Sequence, residues 1–304
     1  MAVSSPLAST LGARMSAELA SQPDSWAKAC GLASAFTSLR RPGQRLAIVG
    51  CGTSWFVAQA VAALREQGGF GITDAFAASE ARLAGRDYDA VLALSRSGTT
   101  TEIETLLRSV PTTMRKVVVV ADASTPVAVL ADEVIELPFA DESSVVQTRF
   151  ASTTIALARA AFGEDLADVV EQARAVLAEP APRVLVEAEQ LTCLGSGWTI
   201  GLAHEAALKL RESSQSWTES YPAMEYRHGP MSISSAGRAV WMFGTPPAGL
   251  AQEVRRTGAH FEQSSLDPLV ELVRAHQVAL ARSRDRGLDA DAPRHLARSV
   301  ILGQ

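Results

Sequence analysis

Cysteine is scarce in this 304-residue chain. Cys30, Cys51 and Cys193 are the whole set, and their spacing fits no metal-ligand pattern. An odd number of thiols without an export signal points to a reducing, cytoplasmic setting. The first fifteen residues lack the basic region and apolar stretch of a signal peptide. The five histidines form no His-x-x-x-His pair, so a protein-built metal site is not expected; no cofactor is expected either. Long apolar runs are missing too: Leu46–Val49 and Val117–Ala121 are far too short to span a bilayer. Nor is there a Lys/Arg-rich run, and the net charge of −5 offers nucleic acid no basic field.

What remains is a globular composition, 47% hydrophobic and 20% charged, on a chain long enough for two domains. The first 42 residues read as helical, with apolar positions at Leu7, Leu11 and Met15, then at Leu32, Phe36 and Leu39. Beyond them the pattern changes. Apolar runs at Leu46–Val49, Ala90–Leu94 and Val117–Ala121, with an extended stretch near Ile72–Ala77, alternate with helical stretches at 55–64 and 102–107. Continuous apolar strands separated by helices predict a parallel sheet covered on both faces, an α/β sandwich. The stretch Glu179-Pro180-Ala181-Pro182 marks a domain boundary. After it the theme restarts: Gly195-Ser196-Gly197 follows a strand 145 residues after Gly50-Cys51-Gly52, which suggests an internal duplication. The second copy looks trimmed, with weak strand signals between Ala239–Phe243 and a helix at 266–283.

Three constellations could carry chemistry. At Gly50–Ser54, glycines allow a tight turn, the next helix offers unpaired N–H groups, and Thr53 and Ser54 add hydroxyls. A plain strand–helix turn explains this stretch equally well. The turn Ser95-Arg96-Ser97-Gly98-Thr99-Thr100-Thr101 shifts the balance, because a helix cap needs one hydroxyl and five are present. Two such turns at the same ends of neighbouring strands would converge on one crevice, with phosphate as the guest. On the helix 200–215, Glu205, Lys209 and Glu212 share a face, either as a solvated salt-bridged stripe or as a site with a general base. His228, in Tyr226-Arg227-His228-Gly229-Pro230, is either structural or catalytic.

Taken together these residues resemble the SIS (sugar isomerase) domain family, in particular the isomerase half of glucosamine-6-phosphate synthase and its stand-alone relatives. Cys51-Gly52-Thr53-Ser54 is similar to the family's first phosphate loop, Ser79-Glu80 to its Ser-Glu step, and Ser95–Thr100 to its phosphate turn. His204–Glu212 resembles the catalytic helix, and Tyr226–Pro230 the Lys-His-Gly-Pro loop with Arg227 for Lys. The resemblance implies two flavodoxin- or Rossmann-like three-layer α/β/α sandwiches, at 43–178 and 179–304, behind a helical segment at 1–42. It implies that Thr53, Ser95, Ser97 and Thr100 bind a 6-phosphate, with Arg96, where the synthase has Gln, adding a charge, and that Cys51, Gly52, Ser54 and Lys209 belong to the substrate- or phosphate-binding set; Gln147 replaces a Ser of the synthase and would reshape the sugar pocket. Glu212 would take the C2 proton of the open-chain sugar. His228, supplied by a neighbouring subunit, would help open the ring, so a homodimer with interfacial active sites is expected.

Two departures limit the reaction. A glutaminase half is missing from the sequence, and residue 2 is Ala2 rather than a nucleophilic Cys. Arg298 stands where the synthase tail carries its imine-forming Lys, and a guanidinium cannot form that imine. Arg298 could instead stabilise an enolate formed by Glu212. That enolate can isomerise, lose nitrogen after isomerising, or expel the C3 oxygen. An amide nitrogen leaves poorly, which favours dehydration of N-acetylglucosamine 6-phosphate. Deamination or isomerisation of glucosamine 6-phosphate is the alternative, and a sugar-phosphate sensor without catalysis is a second one.

Overall fold

A computed structural model describes residues 11–302 of the chain. Leu7, part of the expected N-terminal apolar set, lies outside the described residues. Two helices, α1 (Ala13–Ala20) and α2 (Gln22–Gly31), precede the first strand. There follow β1 (Leu46–Gly50), α3 (Thr53–Gln67), β2 (Thr73–Ala77), β3 (Ala90–Ser95), α4 (Thr101–Ser109) and β4 (Arg115–Val120). Next come α5 (Pro126–Val129), β5 (Glu133–Glu136), α6 (Arg149–Ala161), α7 (Ala167–Leu177) and α8 (Arg183–Glu187). The remaining elements are β6 (Leu191–Gly195), α9 (Thr199–Ser214), β7 (Thr218–Pro222), β8 (Ala239–Phe243), α10 (Leu250–Arg256), β9 (His260–Glu262) and α11 (Pro268–Asp285).

These elements form two compact units that interleave along the chain. The first takes residues 24–142 and 149–167, together with the segment from Ala297 onward. The second takes the described residues up to Pro23, then Ser143–Thr148 and Asp168–Leu296. The Glu179–Pro182 stretch therefore lies inside the second unit, between α7 and α8.

The first unit is built on a five-stranded sheet in the order β2-β1-β3-β4-β5, every pair parallel. Its inner strands β1 and β3 are buried along their whole length, as expected of apolar runs covered on both faces. On one face Val49, Val91, Ala93, Val118 and Val120 pack against Ile103, Leu106 and Leu107 of α4. Arg65 of α3 is a fully buried cation: it donates to the carbonyls of Leu39, Arg41, Gln44, Phe70 and Gly71 and to the Thr73 hydroxyl. One side chain thus ties together the loops leading into β1 and β2.

The second unit repeats the plan with four parallel strands, β7-β6-β8-β9. Leu194, Val240 and Met242 pack with Leu250 and Val254 of α10. The N-terminus of α1 is held by a distant residue, Asp291, whose carboxylate accepts from the Arg14 and Met15 N–H groups at 2.8 Å. Arg282 of α11 is the buried cation of this unit, donating to Leu185 O, Val186 O and Ser216 Oγ. Burial, with Arg286 adding to it, pulls its guanidinium down to about 10.

The fold expectation is met: both units are α/β with parallel sheets. Among the described residues no helix is long and apolar enough to cross a membrane.

Candidate active site

In the first unit, strand order reverses between β1 and β3, which are direct neighbours. The loops leaving their C-terminal ends flank the crevice where open parallel sheets bind ligands. Both expected phosphate stretches start there. Glycine is required at position 50, because a Cβ would come within 2.4 Å of the Ser54 carbonyl carbon and 2.6 Å of the Trp55 N. Gly52 turns the chain with φ +53, and α3 begins at the next residue. Thr53 and Ser54 are buried in its first turn, where N–H groups and the positive end of the helix dipole favour an anion. Cys51 sits beside them as an unreactive thiol, pushed up to about 11 by burial and by the nearby Glu102 carboxylate.

The second turn is drawn tight around its glycine. Gly98 has φ +62, and a Cβ there would sit 2.0 Å from Thr125 Oγ1. Its N–H donates to Ser95 Oγ at 3.2 Å, and the Thr99 N–H donates to Ser97 Oγ at 3.3 Å. Ser97 Oγ lies 3.4 Å from Thr100 Oγ1. Arg96, itself buried, donates to the carbonyl of Arg298 at 2.9 Å. The guanidinium of Arg298 pairs with Asp141 at the surface. The structure thus gathers Ser95, Arg96, Ser97 and Thr100 in one turn and brings residues 298–302 onto it.

The second unit holds the other predicted residues. Lys209 is fully buried in α9, and Glu212, one turn on, is its ion-pair partner and partly exposed. A buried ammonium needs such a partner, so the pair orients the Glu212 carboxylate. One turn earlier, buried Glu205 accepts from His276 Nε2 at 3.1 Å, while the Gln22 amide donates to His276 Nδ1 at 3.2 Å. Glu205 therefore serves an interior network, and the shared face of α9 is not a solvated stripe. His228 is exposed in the turn after β7, and Arg227 beside it is clamped on Glu253 at 2.7 Å and on the Ala248 carbonyl. Gln147 has a buried Nε2 without a hydrogen-bond partner, an unused donor. Its segment is fixed by Glu18, which accepts from the N–H groups of Ser143 and Ser144 and from the Ser144 hydroxyl.

The sequence pointed to no role for Ser299 or His276. Ser299 directly follows Arg298 in the tail, and a lone His inside an apolar helical face is the available signal for His276. Among the described residues no cluster of His, Cys, Asp or Glu could hold a metal ion.

The parallel α/β unit with a hydroxyl-rich turn at its switch point is where the similarity to known proteins concentrates: the sequence model of the SIS domain matches residues 38–162. Over 138 residues the chain is 33% identical to the glutamine–fructose-6-phosphate aminotransferase (isomerizing) of Xylella fastidiosa. That match covers 36% of this chain and 23% of the relative, so the chain spans under a quarter of that enzyme's length. The solved glucosamine-6-phosphate deaminase of Thermotoga maritima is similar over 95% of this chain and 100% of its own, with TM-score 0.77 and 22% identity. The tagatose-6-phosphate ketose/aldose isomerase of Escherichia coli covers 100% of both chains with TM-score 0.77 and 18% identity. Likeness at these identities speaks for the fold.

Proposed function

We propose that this protein is a cytoplasmic enzyme that abstracts the C2 proton of a 2-amino- or 2-acetamido-hexose 6-phosphate in its open-chain form. The observation that carries this reading is the gathering of Thr53, Ser95, Arg96, Ser97 and Thr100 at the β1/β3 switch point, beside the first turns of two helices. These groups hold the 6-phosphate. Glu212, oriented by Lys209, takes the C2 proton, and Gln147 meets a sugar hydroxyl. His228, exposed on its turn, assists ring opening, in the active site of a second copy within a homodimer.

Arg298 supports dehydration of N-acetylglucosamine 6-phosphate as the overall reaction. It forms no imine, and the C2 amide is a poor leaving group, so the enolate loses hydroxide from C3 and a C2–C3 double bond forms. Deamination or isomerisation of glucosamine 6-phosphate is the second reading, in keeping with the deaminase and isomerase activities of the structurally similar proteins. Both sugars should be incubated separately in D₂O and followed by NMR. An unsaturated acetamido product is expected, with turnover falling by about 10²–10⁴-fold in Glu212→Gln. Free ammonia and a ketose would overturn the elimination, and binding without any turnover would identify a sensor.

A further inference from the structure

We propose that residues 298–302 act as a strap that occupies the phosphate turn, so that a phosphate ester binds only by lifting it. The inference rests on the phosphate reading of that turn. It starts from what the strap touches. Ser299 Oγ lies 3.2 Å from Ser97 Oγ, 3.0 Å from Thr99 Oγ1 and 3.5 Å from Thr100 Oγ1. A single hydroxyl among three others fills the place that a phosphoryl oxygen needs.

The backbone on either side of Ser299 takes two further donors. The Arg298 carbonyl accepts from the buried Arg96 guanidinium at 2.9 Å, and the Val300 carbonyl accepts from the Thr101 N–H at 3.2 Å. That N–H belongs to the first residue of α4, where the helix dipole favours negative charge. Hydroxyls, a guanidinium and a helix-terminal N–H are the donors an anion would recruit, and here neutral oxygens of the same chain hold them. The Leu302 N–H closes the strap on Thr101 Oγ1 at 3.0 Å.

The strap is built to yield. Val300, Ile301 and Leu302 keep about half or more of their surface in water, so only partial apolar burial anchors them. Its fastening at Arg298–Asp141 is an exposed ion pair, a weak class of contact. A phosphate dianion makes charge-assisted bonds to the same donors, roughly twice as strong as neutral ones. The chain's own segment therefore lowers apparent phosphate affinity by the fraction of molecules with the strap lifted, and does not abolish binding.

Inorganic phosphate binding should be measured by calorimetry on the full chain and on variants. Removal of residues 298–304 is expected to tighten binding at least about threefold. Ser299→Asp, which sets a fixed carboxylate among the hydroxyls, is expected to weaken it at least about tenfold. In the full chain, hydrogen exchange over residues 298–302 should rise when phosphate is added. Weaker or unchanged binding after removal, or slower exchange on adding phosphate, would show that the strap completes the site instead of competing for it. If neither the full chain nor the shortened one binds inorganic phosphate, and Ser97→Ala changes nothing, the phosphate reading fails and the strap with it.

Discussion

The two units follow one plan with different furnishings. Their sheets share a strand order, β2-β1-β3-β4 against β7-β6-β8-β9, and their first strands end in the same turn. Gly52 and Gly197 have φ of +53 and +57, and a Cβ on Gly50 or Gly195 would strike the backbone of the following helix within 2.4 Å. Side chains then diverge. Where the first unit places Thr53, the second has Trp198. Thr199, at the position of Ser54, is consumed internally: it bonds the Ser196 N–H and carbonyl and the Phe243 carbonyl at 2.8–3.0 Å. The stretch leaving β8, Gly244-Thr245-Pro246-Pro247-Ala248-Gly249, offers one hydroxyl and two prolines without N–H groups. The first unit keeps a turn dressed for an anion, while the second spends its polar groups on its own interior and carries Lys209 and Glu212. A shared scaffold thus fixes where a site can lie and leaves its chemistry to the residues placed there.

The glycines offer the largest test of the shared plan. Gly50→Ala and Gly195→Ala should each cost about 3 kcal/mol or more, because the obstacle is helix backbone that cannot turn aside. Gly52→Ala and Gly197→Ala meet open space and should cost about 1 kcal/mol through positive φ alone. Urea unfolding of the four variants checks this, and unequal losses between partner positions would break the comparison. The buried arginines come next. Arg65→Met removes six hydrogen bonds and Arg282→Met three, so the first should lose on the order of 3 kcal/mol and the second about half that, read by the same titrations. The smallest effect belongs to His204 in the second unit, held below its ordinary imidazole value by burial and then by Arg211. The unfolded chain binds that proton more readily, so stability should fall as pH drops below about 6.5, by less than about 1.4 kcal/mol per pH unit, until the depressed native value is passed. His204→Gln should flatten that part of the profile, and an unchanged slope would remove His204 as its cause.

Much of the first sheet was readable because its strands are unbroken apolar runs: β1, β3 and β4 fall where Leu46–Val49, Ala90–Leu94 and Val117–Ala121 predict them. β5 escaped because it is a sheet edge whose Glu133 and Glu136 break the apolar signal, and β9 because it has only three residues. The phosphate turn was legible for a local reason, since its hydroxyls are consecutive in sequence. Contacts that depend on distant chain were not. Gln22 meets His276 across 254 positions, and Ser299 reaches Ser97 across 202. No spacing rule connects residues so far apart; only the folded chain brings them together.

The interleaving of the two units sets a rule for handling the gene. The chain changes unit five times, after Pro23, Glu142, Thr148, Ala167 and Leu296. No single cut separates one unit from the other, and a fragment that stops between residues 168 and 295 encodes neither one whole. Isolated halves would each be expressed with a hole, and a library of truncations would report the missing piece and not the unit left behind. Separating the two for study calls for rejoining segments with linkers, which makes the order of the chain itself an obstacle to dissection.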